Sequence, residues 1–352
     1  MNDAFQRLMA DATNLTRSGD LRAATAAIQA ALTGAMTPNR AALDDSSLIE
    51  GESRELIEDS TNAEATTRGQ FSSGSYADKN GSRDYKLFVP PGDDASKALP
   101  LVVMLHGCTQ NPDDFALGTG MNDAALAQGF YVLYPAQTQN ANASRCWNWF
   151  MRSHQQRDLG EPSILANMTR EVMANHNIDP QRVYVAGLSA GGAMAAILGD
   201  AYPDLFAAVG VHSGLATGSA KDVQSAFGVM NSGVSAGSSR DNAAHQTPPT
   251  IVFHGDQDTT VNPANGAHVA VVSAADSPVE TQGEHSENGR SYTKNIYRNS
   301  TGLVSTEHWV VQGAGHAWSG GSARGSYTDV RGPSATKEML RFFFANTLKN
   351  SG

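Results

Sequence analysis

The 352-residue sequence predicts an α/β fold: a mostly parallel sheet of eight or nine strands with helices on both faces, preceded by a short helical N-terminal segment. Short apolar runs at 101–105, 130–134, 182–186, 207–211 and 250–254 alternate with helix-patterned segments near 113–127, 162–176 and 190–201, as βαβ units do. With 40% apolar residues, 17% charged residues and 34 glycines, the composition suits a packed core and excludes disordered, collagenous and disulfide-stapled chains. One apolar run, 182–186, passes through a glycine-rich turn straight into an alanine-rich helix, a junction that parallel sheets use to present a reactive group.

Taken in order, residues 1–35 carry Phe5, Leu8, Met9, Ala12 and Leu15 at helical spacing, then Asp20 as an N-cap before Leu21, Ala24, Ile28, Ala31 and Leu32. Two short helices are expected there. Their apolar faces are too small to be stable alone, so they should pack on the main domain or on a second copy, giving a homo-oligomer. Residues 36–70 read as an acidic polar linker that buries too little apolar surface to offset the entropy of ordering. Residues 71–352 form the main domain. It opens on a strand at 84–89, and the Ser/Gly/Ala-rich stretch 216–246 reads as a surface insertion. Toward the far edge, 292–309 reads as a hairpin turning at Asn299-Ser300-Thr301-Gly302, with a strand at 307–311. A last helix from Ser334 to Leu348 sets Met339, Leu340 and Phe343 on one face.

Lys and Arg number 25 against 35 Asp and Glu, so the formal charge of −10 repels phosphate backbones and anionic lipid, and no nucleic-acid partner is expected. The longest apolar run, Leu99 to Leu105, falls far short of the roughly 20 residues that span a bilayer, so no membrane is expected either. Asp3, Asp11 and Asp20 interrupt the N-terminal stretch where a secretory signal would be basic and then unbroken in its apolar run, which leads us to expect a cytoplasmic protein. Cys108 and Cys146 are too few for a disulfide scaffold and lack zinc-ligand spacing; no metal and no cofactor are expected.

The chemistry starts at Arg182-Val183-Tyr184-Val185-Ala186-Gly187-Leu188-Ser189-Ala190-Gly191-Gly192, a strand, Gly-x-Ser-x-Gly and a helix, which together make a nucleophile elbow. Gly187, Gly191 and Gly192 allow the close backbone approach that such a turn demands. Ser189 needs a base, and His316 follows the apolar run Trp309-Val310-Val311 in a loop at a strand's C-terminal end. His308 sits inside that strand pattern and His285 in a polar loop, so His316 is preferred. Two aspartates of His254-Gly255-Asp256-Gln257-Asp258 contend for the orienting acid; Asp258 is preferred, and Asp256 is read as a turn former. The oxyanion donors expected are the amides of Ala190, next after the nucleophile, and Cys108, in the loop after the 101–105 strand, with His106 bracing that loop. Trp147, Trp149 and Trp318 lie on the same edge and are expected to line an apolar groove, and His212, at the end of the 207–211 strand, to touch substrate. Cys108 and Cys146 flank that edge closely enough to bridge in an oxidising setting.

The set Leu105 to Gln110, Arg145 to Phe150, Gly187 to Gly192, His254 to Asp258 and Gly313 to Gly321 resembles the poly(3-hydroxybutyrate) depolymerase family of α/β-hydrolase esterases, related to feruloyl and acetylxylan esterases. The resemblance runs over most of 80–348 and implies an α/β-hydrolase fold, a Ser189-Asp258-His316 triad and oxyanion donors at Cys108 and Ala190. It implies a serine carboxylesterase acting on hydroxyalkanoate esters or oligomers. Feruloyl, acetylxylan or synthetic-polyester esters suit the same machinery, and a non-catalytic binding protein would require a broken triad. Secreted relatives keep an extracellular location as the alternative to a cytoplasmic one. Because no signal peptide precedes this region and no Thr-rich linker or binding module follows it, soluble esters and oligomers are expected ahead of solid polymer.

Overall fold

The computed structural model describes residues 69–92, 97–233, 247–274, 280–285 and 289–348. The chain divides into Met1–Thr67 and Arg68–Gly352, and every described residue belongs to the second unit. The expected N-terminal helices, any oligomer they would form, almost all of the linker and part of the 216–246 insertion lie outside the described residues.

Ten strands form one sheet in the order β1-β2-β4-β3-β5-β6-β7-β10-β9-β8. The central six are β4 (Tyr131–Pro135), β3 (Leu99–Leu105), β5 (Ile178–Leu188), β6 (Ala208–His212), β7 (Thr250–Gly255) and β10 (Val304–Val311), each parallel to its neighbour. An antiparallel pair closes each edge: β1 (Gln70–Asp78) with β2 (Gly81–Val89), and β8 (Glu280–His285) with β9 (Ser291–Arg298). This is the α/β-hydrolase arrangement, with ten strands where eight or nine were expected. β1 and β8 are the additions. Each is polar or small-residue-rich, QFSSGSYAD and ETQGEH, and lies at an outer edge where one partner strand supplies its hydrogen bonds.

Alternation along the central strands divides the core into two layers. Leu101, Val103, Leu105, Val183, Val185, Val209 and Val252 face α3 (Gly160–Asn175), α4 (Ala190–Ala201) and α6 (Ala264–Ser273). Val102, Met104, Tyr184, Ala186, Ile251 and Phe253 face α1 (Pro112–Thr119), α2 (Met121–Gln128) and α7 (Ala335–Phe344). The remaining helix, α5 (Val223–Ser232), starts at a capping box between Asp222 and Ser225. Each fully buried large side chain contributes roughly 1.5–3 kcal/mol. α7 shows the pattern clearly: the Ser334 side chain caps its start, Met339, Leu340 and Phe343 are buried, and Phe343 stacks on Tyr184 at 5.1 Å. The single helix expected over 113–127 is two, because Gly120 adopts φ +63° and ends α1 in a left-handed cap. Among the described residues no helix is long and apolar enough to cross a membrane.

Where β5 runs into α4, the first turn of the helix presses against the C-terminal end of β3. A Cβ on Gly191 would overlap the Leu105 carbonyl oxygen and lie 2.6 Å from that of His106. Both obstacles are backbone, so neither yields by a side-chain rotation. Gly191→Ala is therefore expected to destabilise the fold by about 3 kcal/mol or more, measured by urea unfolding.

Candidate active site

The C-terminal ends of β3, β5, β6, β7 and β10 stand side by side, and the loops leaving them carry the candidate residues. Ser189, between β5 and α4, has φ +58° and ψ −120°, a backbone conformation that costs a non-glycine residue of order 1–3 kcal/mol. Its own N–H donates to the His212 carbonyl at 2.8 Å, and the Ala193 N–H donates to its carbonyl at 2.9 Å, so both sides of the turn are pinned. The strain is held by neighbours that outnumber it.

The loops after β7 and β10 are zipped together. Asp256 N–H donates to the Val311 carbonyl at 3.1 Å, Gln257 N–H to the Ala314 carbonyl at 3.0 Å, and Gly313 N–H to Asp256 Oδ1 at 2.6 Å. Asp256 thus braces the loop. Asp258 stands beyond it with its side chain fully buried, and its Oδ2 accepts from His316 Nδ1 at 2.7 Å. The N–H groups of Thr260 and Val261 donate to Oδ1 at 2.9 and 2.8 Å. His254 Nε2 lies 3.3 Å from Oδ2 and donates to the Val261 carbonyl at 2.9 Å. Burial alone would raise the Asp258 carboxyl, but the hydrogen bonds from His254 and His316 and the charge of His316 hold it well below the usual carboxylate range. An ionised acceptor at Nδ1 fixes that nitrogen as the protonated one and leaves His316 Nε2 with a free lone pair. No hydrogen bond joins Ser189 Oγ to His316 among the described residues. His212 ties the two together instead: its carbonyl holds Ser189, and its Nε2 accepts the Ser319 N–H at 2.9 Å, three residues past His316.

The loop after β3 is folded on itself, with Gly107 N–H donating to Gln110 Oε1 at 3.0 Å and Thr109 at φ +67°. It lies against the nucleophile: a Cβ on Gly107 would be 3.6 Å from that of Ser189. Among the described residues no acceptor takes the Cys108 N–H. The Ala190 N–H opens α4, where the first amides of a helix have no intrahelical acceptor. His106 Nδ1 donates to the Gly107 carbonyl at 2.7 Å and its Nε2 accepts the Gln137 N–H at 3.1 Å. That assignment requires a neutral ring, and burial lowers its pKa to about 4. Over this loop lies a strap, residues 137–148, joined to it by the Cys108–Cys146 disulfide, by Thr109 N–H to the Ser144 carbonyl at 2.7 Å and by Trp147 Nε1–H to the His106 carbonyl at 3.1 Å.

Residues 83–274, more than half of the sequence, match the family described as esterase PHB depolymerase. The chain belongs to this family. Similar curated proteins include poly(3-hydroxyalkanoate) depolymerase C of Paucimonas lemoignei, 33% identical over 65% of this chain and 56% of that protein. Poly(3-hydroxybutyrate) depolymerase of Ralstonia pickettii is 29% identical over 71% and 54%. Feruloyl esterase B of Thermothelomyces thermophilus is 30% identical over 50% and 64%. The chain spans just over half the length of the two depolymerases it matches. Among solved structures, an acetyl xylan esterase from Aspergillus awamori has the same fold, with TM-score 0.59 and 20% identity over 78% of this chain and 99% of that one.

Within this PHB depolymerase-family fold, the residues expected to touch substrate are packed away. Trp147 and Trp318 are fully buried, Trp149 is 5% exposed, and Trp318 Nε1–H donates to Thr336 Oγ1 at 3.0 Å. His212 is buried, stacked on Trp318 and Phe253, with both ring nitrogens engaged. The structure does not put these four on an open groove; they hold the loops that border it. An open cleft of about 470 Å³ between the loops after β4 and β6 is lined by Arg152, Gln155, Gln156, Gly218, Ser219, Ala220, Lys221 and Ser225, none of them a candidate catalytic or oxyanion residue. The sequence reading also missed His254, beside Asp258, and Glu161, fully buried beneath the strap. The adjacency of His254 to Asp258 in the HGDQD run is the one signal that was there.

Burial pushes the pKa of His106 to about 4, His212 to about 3 and His308 to about 4. Unfolding releases each to about 6.5, so the stability these neutral rings contribute is whole above that value and is lost as pH falls toward 4 and then 3. The urea midpoint should drop steeply from pH 7 to 4.5, and His308→Met, which removes one of the three buried rings, should flatten that slope. Separately, the bridge closes a 38-residue separation, for which the chain-entropy relation gives about 4 kcal/mol. Cys108→Ser/Cys146→Ser should lose stability of that order in the same assay.

Proposed function

We propose that this protein is a serine carboxylesterase for hydroxyalkanoate esters and oligomers, working through Ser189, His316 and Asp258. The observation that carries the reading is the buried Asp258–His316 hydrogen bond, together with a serine held in a strained elbow that is followed by Ala190 and lies against the loop carrying Cys108. In this mechanism Ser189 Oγ attacks the ester carbonyl while His316 Nε2 takes its proton. The tetrahedral oxyanion accepts hydrogen bonds from Cys108 N–H and Ala190 N–H. His316 then returns the proton to the leaving alcohol, an acyl-Ser189 forms, and a water deprotonated by His316 releases the acid. Asp258 keeps the imidazole in its Nδ1–H form and stabilises the imidazolium without taking its proton. Ser189 Oγ and His316 Nε2 must close to hydrogen-bond distance on substrate binding, as such pairs commonly do.

The choice of hydroxyalkanoate rests on the two depolymerases among the similar proteins, one of them matched over 71% of this chain. A second reading, an acetyl or feruloyl ester of a polysaccharide, is supported by the similar feruloyl and acetylxylan esterases. We also infer an oxidising compartment rather than the cytoplasm, because a disulfide persists where thiols are not kept reduced.

Ser189→Ala and His316→Ala should each lower kcat on para-nitrophenyl acetate by a factor on the order of 10⁴ or more with the fold retained, because triad members act as a unit. Turnover equal to wild type in either would overturn the assignment. Hydroxybutyrate trimer, methyl ferulate and acetylated xylan, compared by kcat/KM, decide the substrate class; a preference for either of the last two replaces the hydroxyalkanoate reading.

A further inference from the structure

Glu161 is a charged residue with no part in the mechanism above, yet it is 1% exposed. Its Oε1 accepts three hydrogen bonds, from Arg83 Nη2 at 3.1 Å, Gln137 Nε2 at 2.5 Å and Asn148 Nδ2 at 2.8 Å. Its Oε2 accepts the Asn148 N–H at 2.7 Å, with His154 Nδ1 at 3.6 Å. An ion this deeply buried is costly unless it is paired and hydrogen-bonded, and here Arg83 supplies the opposite charge while Oε1 takes three donors and Oε2 one.

Its partners are the two ends of the strap that lies on the proposed oxyanion loop. Gln137 is at one end and Asn148 at the other. The Gln137 side chain also donates to the Cys146 carbonyl at 2.9 Å, and Cys146 is bonded to Cys108. The Gln137 N–H donates to His106 Nε2, and His106 Nδ1 donates in turn to the carbonyl of Gly107. The peptide unit formed by that carbonyl and the Cys108 N–H is rigid, so orienting the Gly107 oxygen orients the Cys108 donor. We propose that Glu161 is a positioning residue: through Gln137, His106 and the strap it aims the Cys108 N–H at the developing oxyanion.

Only a carboxylate serves this geometry. A glutamine offers one acceptor and one donor, so its NH₂ would face either the Asn148 N–H or the three donors at Oε1. This assignment rests on the serine-esterase reading, and its test keeps the two separable. In the full chain, Glu161→Gln should lower kcat on para-nitrophenyl acetate roughly 10- to 100-fold with KM within about twofold, a large part of what losing an oxyanion donor costs. Gln137→Met, which leaves the Arg83–Glu161 pair intact, should act in the same direction and more weakly. Trifluoroacetone, whose hemiketal with Ser189 carries the same oxyanion, should lose affinity in proportion to kcat/KM across wild type and both variants. Wild-type kcat in both variants, or reduced stability with unchanged trifluoroacetone affinity, would overturn the positioning role. Wild-type enzyme that neither hydrolyses the ester nor binds the ketone would overturn the serine-esterase reading beneath it.

Discussion

The contact on which the rest depends is that of α4's first turn with the end of β3. Gly191 meets the carbonyls of Leu105 and His106 there, and Gly187 meets Gly191 across the turn. No side chain fits between these backbones, so main chain fixes how closely the elbow and the end of β3 approach, and the side chains around the loop after β3 orient what lies beyond. That contact sets Ser189 beside Gly107, and the φ of +58° at Ser189 follows from the need to reverse from strand to helix in one residue. Strain of this kind persists only where the surroundings over-determine it, and the parallel register of β3, β5 and β6 does so.

Around this fixed point the acidic and basic groups are placed by loops that hold each other. The loops after β7 and β10 exchange three hydrogen bonds before Asp258 and His316 meet, so their 2.7 Å contact is the end of a zipper rather than an isolated pair. On the other side of Ser189 the strap and the loop after β3 are joined by a disulfide and two hydrogen bonds. Both arrangements convert mobile connections into rigid ones at the strand ends, which is what a preorganised site requires, because reorientation during reaction would forfeit electrostatic stabilisation.

Much of this is legible in the sequence where local chemistry dictates structure. The Gly-x-Ser-x-Gly run needs its glycines for steric reasons that a sequence exposes, and the apolar runs of the central strands are buried on both faces, so they stand out. β1 and β8 were missed because edge strands satisfy one side in water and carry no apolar pattern. Gly120 divides a helix that periodicity alone drew as continuous. Glu161 was invisible for a different reason. Its partners lie 78 residues away at Arg83 and 24 residues away at Gln137, and no spacing rule connects a buried carboxylate to donors brought together only by folding.

The tryptophans show where reasoning from position stops. Trp147 and Trp149 lie in a loop at the strand ends and Trp318 in a short strand pair, Trp318–Ser319 with Thr328–Asp329, just past His316, and an aromatic in such a connection has two uses: to face a ligand or to anchor the connection. Which one applies depends on whether the loop has other anchors. The 145–150 segment hangs between β4 and α3 across a span without regular secondary structure apart from one short turn, so a large side chain buried beneath it supplies the apolar area that holds it down. Trp147 adds an N–H to the His106 carbonyl, and Trp318 stacks on His212 while reaching Thr336. Each ring thus fastens one of the loops that carry a proposed catalytic group. Apolar surface spent on fastening those loops is not available to a substrate, so a place at the strand ends does not by itself make an aromatic side chain a binding residue.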